Sequence, residues 1–155
     1  MLSKFSCYVP IITPFKADGS VDMTALGSLV DWHIRSRTKG LVCFGTTGES
    51  ATLTYEEKID ILEFVLDRAQ GNMKIIANTG TPSTCESVKL SCKAKEMGAD
   101  ASLVIVPYYV KPSDRGCFEH FRAISEVGLD FILYHHPPRT GKRLSFDLIA
   151  KIMEL

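Results

Sequence analysis

Six consecutive residues, Gly45-Thr46-Thr47-Gly48-Glu49-Ser50, stand where a short apolar stretch from Gly40 to Gly45 runs out. Hydroxyls and backbone N–H groups flanked by glycines make a carboxylate cradle, because glycine lets a ligand come close to the main chain. Two more polar groups end apolar stretches in the same way: Pro107-Tyr108-Tyr109, and Tyr134-His135-His136-Pro137-Pro138-Arg139-Thr140-Gly141. Ligand-handling residues at the same end of successive strands are the layout of an α/β enzyme site.

The elements that must carry these groups are legible. Apolar runs at Tyr8 to Thr13, Leu41 to Gly45, Ile75 to Gly80, Ser102 to Pro107 and Phe131 to Tyr134 are rich in Val and Ile, as strands of a parallel sheet covered on both faces should be. Between them lie amphipathic stretches. Leu26, Leu29, Val30, His33 and Ile34 form one stripe, followed by Gly40. Thr54 with Glu57 three residues on reads as a capping box, and the helix it opens buries Ile61, Leu62, Val65 and Leu66 and ends at Gly71. A third helix is expected from Thr84 to Met97, stopped by Gly98; a fourth follows Ser113, and a fifth follows Ser145. The βαβ period of about thirty residues implies right-handed parallel crossovers. Two architectures fit it: a five-stranded doubly wound, flavodoxin-like sheet, or the first part of a (β/α)8 barrel, which typically needs roughly 250 residues.

Composition excludes several functions. In 155 residues, 18 Lys plus Arg balance 18 Asp plus Glu, so no basic field is present for nucleic acid or anionic lipid. Five scattered cysteines without a CxxC pair fit reduced thiols rather than a disulfide framework or a zinc site, and Cys43 reads as core filler. No apolar run reaches the roughly 20 residues of a membrane span, and Met1-Leu2-Ser3-Lys4-Phe5 has no leader pattern, so a soluble, cytoplasmic chain of one domain over residues 1–155 is expected.

Ile11-Ile12-Thr13-Pro14-Phe15, GTTGES at 45–50 with Thr54 and Glu57 behind it, VPYY at 106–109 and ILYHHPPRTG at 132–141, in that order and spacing, resemble the dihydrodipicolinate synthase and N-acetylneuraminate lyase family. The resemblance spans essentially the whole chain. It implies a (β/α)8 TIM barrel, of which these residues supply about five βα units, and a pyruvate-dependent Schiff-base lyase needing no metal or organic cofactor, since the imine is the electron sink. It further implies that Thr47 holds the pyruvate carboxylate and that Thr46 links two tyrosines. Tyr134 is implied to relay protons to and from the carbinolamine. Tyr109 would be the second relay tyrosine, reaching into a neighbouring subunit's site. Arg139 would grip the carboxylate of the incoming aldehyde. Arg139 tilts the aldehyde toward aspartate semialdehyde, in the lysine-forming (diaminopimelate) branch, and away from the sugar-acid aldolases. The implied assembly is a homodimer or homotetramer.

The chain departs from that pattern twice. His135-His136-Pro137-Pro138 stands where the synthases more often read Asn-Val-Pro-Ser, altering the wall beside Tyr134. The imine also needs a lysine made partly neutral by an apolar setting within a core strand, and none of the apolar runs contains one. In the family that lysine lies on a sixth strand, expected just past Leu155. The 155 residues are therefore expected to be inactive alone, and to associate or aggregate through open sheet edges.

Other residues have plainer readings. Glu49 reads as a structural hydrogen-bond partner rather than a general base, and Tyr108 and Trp32 as packing. His135 and His136, adjacent on an extended segment, face opposite ways and cannot share a metal. His33 and His120 sit on helices without a chemical role.

Overall fold

A computed structural model describes residues 7–155. The segment Met1 to Phe5, read above as lacking a leader pattern, lies outside the described residues. Five strands, β1 (Tyr8–Pro10), β2 (Gly40–Cys43), β3 (Lys74–Asn78), β4 (Ala101–Ile105) and β5 (Phe131–Tyr134), form one sheet, every pair parallel. Their spatial order is β1-β2-β3-β4-β5, the same as their order along the chain. A doubly wound sheet reverses its direction of growth and so puts the first strand between two others. Here β1 is an edge strand, the flavodoxin-like alternative is excluded, and the arc is part of a (β/α)8 barrel.

The strands are shorter than the apolar runs, and the backbone explains where each stops. The β1 ladder continues for one bond, Ile11 N–H to Val42 O, before Thr13 turns to donate its hydroxyl to Gly48 O at 2.8 Å. Strand β2 ends because Phe44 takes φ +40°. Past β3, the amides of Thr79 and Gly80 both donate to Leu103 O, so the regular ladder is lost there. Lys74, just ahead of the apolar run that starts at Ile75, is the first residue of β3 and pairs with Asp100 at 2.6 Å.

The helices α1 (Met23–Arg35), α2 (Tyr55–Ala69), α3 (Thr84–Met97), α4 (Asp114–Ser125) and α6 (Phe146–Met153) cover one face of the sheet, and α5 (Pro137–Thr140) is a single turn after β5. Asp22, Thr54, Ser83, Ser113 and Ser145 cap the five long helices through side-chain oxygens. The capping box on α2 is complete: Glu57 N–H donates to Thr54 Oγ1 (3.1 Å) and Thr54 N–H to Glu57 Oε2 (2.8 Å). Thr54→Ala removes one of these bonds and is expected to cost about 1 kcal/mol in denaturant unfolding, with Thr54→Ser near neutral. At the other end of α2 the left-handed cap is Gln70 (φ +45°), one residue before the expected Gly71, which itself has φ +73°.

Side chains alternate along the strands with the pleat. Leu41, Cys43, Ile75 and Ala77 pack outward with Leu26, Val30, Ile61, Leu62 and Val65, while Val42, Ile76, Leu103 and Ile132 gather on the inner face. Phe131 and Leu133 join the cluster around Phe121, Ile124, Leu148 and Ile152 under α4 and α6. By the same parity Tyr134, two residues after Ile132, belongs to the inner face. Among the described residues, β1 pairs only with β2 and β5 only with β4.

Candidate active site

The turn after β2 is tightly organised. The amides of Gly48 and Ser50 donate to Gly45 O and that of Glu49 to Thr46 O, which leaves the amides of Thr46 and Thr47 unengaged among the described residues. A Cβ on Gly48 would lie 3.0 Å from Ile11 O and 3.0 Å from Phe44 Cα, so glycine there lets the turn close against the segment after β1 without crowding it. Positive φ at Phe44 and Glu49 flanks this turn, and backbone strain of that kind collects at functional sites. Both threonines are solvent-accessible, as a cradle for a ligand carboxylate requires.

Across the arc, Thr46 Oγ1 lies 3.5 Å from Tyr134 Oη, joining the ends of β2 and β5 over 88 residues of sequence. Beside this pair is a cleft of about 280 Å³ whose lining includes Thr46, Ser50, Asn78, Gly80, Tyr108 and Arg139. Asn78 Nδ2 donates to Ser50 Oγ at 2.9 Å and so ties the end of β3 to the 45–50 turn. Gly80 is needed for close approach, since a Cβ there would fall 2.4 Å from Ile105 N. Neither residue was singled out by sequence; the available signal was one amide side chain within the apolar run 75–80. Tyr108, read as packing, lines the cleft as well, and burial, with a smaller contribution from the Glu86 charge, raises its phenol above the ordinary value. Glu49 also lines the cleft.

The segment after Tyr134 carries Arg139 into the cleft on α5, a helical turn that the sequence reading left within an extended polar stretch. Pro137 and Pro138 suit the first helical positions, where their missing N–H groups are not needed. The carbonyl of His136 accepts from Arg139 N (3.0 Å) and Thr140 N (3.1 Å) and lies 3.2 Å from Thr140 Oγ1, and Gly141 closes the turn with φ +66°. His135 faces elsewhere: its Nε2 accepts from Leu144 N at 3.1 Å, and burial, then Arg143, depresses its basicity.

Of the residues picked out beforehand, Thr46, Tyr134 and Arg139 come together at one end of the sheet. Thr47 occupies the same turn but is not among the residues lining the cleft. Tyr109 is 89 % exposed with φ +68° and makes no hydrogen bond to Thr46 or Tyr134 among the described residues. None of the residues lining the cleft is a lysine, and no cluster of three or more His, Cys, Asp or Glu able to hold a metal occurs among the described residues. No helix among them is long and apolar enough to cross a membrane.

Residues 5–155 match the dihydrodipicolinate synthetase family. The 4-hydroxy-tetrahydrodipicolinate synthase of Aquifex aeolicus is 48% identical over 145 residues, covering 93% of this chain and 49% of that protein; the enzyme of Laribacter hongkongensis is 45% identical over 148 residues, covering 95% and 51%. Among solved structures, dihydrodipicolinate synthase from Aquifex aeolicus superposes with a TM-score of 0.93 at 45% identity, covering 96% of this chain and 51% of that one. The chloride-inhibited synthase of Acinetobacter baumannii, solved with pyruvate, gives 0.94 at 42% identity, covering 97% and 52%. The chain thus spans about half the length of the relatives it matches. Ordered motifs, an in-sequence parallel arc and these relatives agree: the chain belongs to the dihydrodipicolinate synthetase family.

Proposed function

We propose that these 155 residues are the N-terminal part of one (β/α)8 domain and form the pyruvate-handling wall of a Schiff-base lyase that condenses pyruvate with aspartate semialdehyde, a reading supported by relatives that are 4-hydroxy-tetrahydrodipicolinate synthases. The observation that carries the reading is the Thr46–Tyr134 pair at 3.5 Å beside a cleft lined by Arg139. The pyruvate structure of the Acinetobacter baumannii relative supports it.

In this reading the free amides and hydroxyls of Thr46 and Thr47 take the pyruvate carboxylate. An amine attacks the keto carbon; the carbinolamine loses water to an imine; a methyl proton then leaves to give the enamine, whose carbon adds to the aldehyde. A phenol with an ordinary pKa near 10 shuttles protons poorly alone, and a hydroxyl in line with it eases the transfer. That is the role of Thr46 toward Tyr134. Tyr109, exposed on its loop, is the second relay tyrosine, acting in a neighbouring subunit of a homodimer or homotetramer. Arg139 offers a planar fork for the aldehyde's carboxylate, which favours a short acidic aldehyde over a sugar. The imine serves as electron sink, so the reading calls for no metal or organic cofactor.

The amine is the missing partner, and we assign it to the part of the family's length that these residues do not span. Borohydride reduction in the presence of pyruvate tests both points. The 155-residue chain alone is expected to gain no adduct, whereas the chain fused to the C-terminal half of the Aquifex aeolicus relative is expected to gain one pyruvate-derived adduct per chain. An adduct on the chain alone would put the imine lysine within these residues. A folded fusion that traps nothing would overturn the reading.

A further inference from the structure

We propose that His136 is the positioning residue for Tyr134, holding the phenol in the orientation that meets Thr46 and tying that orientation to the turn that carries Arg139. The inference rests on the reading of Tyr134 as the proton relay. The His136 ring packs nearly perpendicular to the Tyr134 ring, with centroids 5.9 Å apart and planes at 72°, an arrangement aromatic pairs favour because the edge of one ring meets the face of the other. Its Nδ1 is buried and has no hydrogen-bond partner among the described residues. An imidazole with no other constraint would rotate to hydrate that nitrogen, since a buried polar atom without a partner is costly. The ring is turned inward against Tyr134, the orientation that the ring contact favours.

The backbone of the same residue does the second half of the task. The His136 carbonyl accepts the two backbone bonds that start α5, from Arg139 N and Thr140 N, and lies 3.2 Å from the Thr140 hydroxyl, which also faces Lys142 O at 3.1 Å. Thr140 is itself buried, at 1% exposure, so the turn cannot slide without moving His136. One residue therefore fixes a relay hydroxyl through its ring and a carboxylate-gripping arginine through its carbonyl. This gives a role to the departure at 135–138 noted in the sequence.

The test is tyrosine NMR on the fusion with the C-terminal half of the Aquifex aeolicus relative, with 13C-labelled tyrosine rings and Tyr134→Phe to assign the Tyr134 signal. His136→Ala is expected to shift and broaden the Tyr134 ring signals while those of Tyr8 and Tyr55 stay in place, and His136→Phe, which keeps an aromatic ring, is expected to restore them. Tyr134 signals unchanged in His136→Ala would overturn the proposal. If His136→Ala disperses every tyrosine signal, His136→Phe against His136→Leu decides: native-like Tyr134 signals only in the Phe variant support a ring contact, and the same signals in both overturn it. The readout does not depend on turnover, so failure of pyruvate trapping in the fusion would remove the relay reading and leave the ring contact to stand or fall separately.

Discussion

Replacing Tyr134 by Phe in the fusion with the C-terminal half of the Aquifex aeolicus relative is expected to lower kcat for condensation by roughly 10²- to 10⁴-fold, the range a positioned proton-transfer group supplies. The change deletes one oxygen, the one that stands 3.5 Å from Thr46 Oγ1, and leaves the ring that packs against His136. Folding should therefore be unaffected, and the pyruvate KM should move far less than kcat. Thr46→Val, which removes the neighbouring hydroxyl and keeps the shape, should lower kcat in the same direction but less, because it weakens the relay without deleting it. Steady-state kinetics on the two variants and on the double variant check this. A Tyr134→Phe fusion with unchanged kcat would show that protons travel by another route.

The second large effect concerns stability. His120 on α4 is 3% exposed; its Nδ1 meets Thr84 Oγ1 at 2.9 Å, and its Nε2 is buried without a partner among the described residues. Burial pushes its pKa from 6.5 down to about 4. Between those values the unfolded chain binds a proton that the folded chain refuses, so stability rises with pH across the window. The contribution is complete above about pH 6.5, is lost as pH falls toward 4, and changes no further below that. A shift of this size corresponds to about 3 kcal/mol. His33 is displaced in the same direction by burial, so the measure is the difference between the chain and His120→Phe in denaturant unfolding from pH 4 to 7.5. The variant should show a clearly flatter curve. Asp18 and Asp31, held below their ordinary 3.8 by Ser20 and Arg68 respectively, begin to lose their share at the acid end of this window, equally in both proteins, so the difference between the two curves isolates His120. Equal slopes in the two proteins would mean that His120 is hydrated when folded.

Local signals in the chain were sufficient for the elements. A capping box at Thr54 and Glu57, glycine at 98 and serine at 113 and 145 mark helix ends by hydrogen bonds within a few residues, and those ends lie where the chemistry demands. The five apolar runs announced strands but overstated their lengths, because Phe44 at positive φ and the shared acceptor Leu103 O are consequences of neighbours that an apolar run does not reveal. The helical turn at 137–140 was missed for a related reason: two prolines look like extended chain, yet prolines also suit a first helical turn when a carbonyl such as that of His136 gathers the following amides.

Thr46, Thr47, Tyr134 and Arg139 were candidates because the ordered motifs that hold them resemble a known family, and hydroxyls, a phenol and a guanidinium at strand ends carry chemistry that suits the roles the resemblance implies. Which of them meet was decided only by the tertiary structure. Two residues 88 apart come to 3.5 Å because the sheet grows in chain order and curls, a property of strand pairing that no local pattern encodes. The same curl brought Asn78, Gly80 and Tyr108 to the cleft and left Tyr109 facing solvent, distinctions invisible in a row of letters. Residue chemistry is a local property and convergence is a global one, which is why the sequence named the groups and the fold chose the partners.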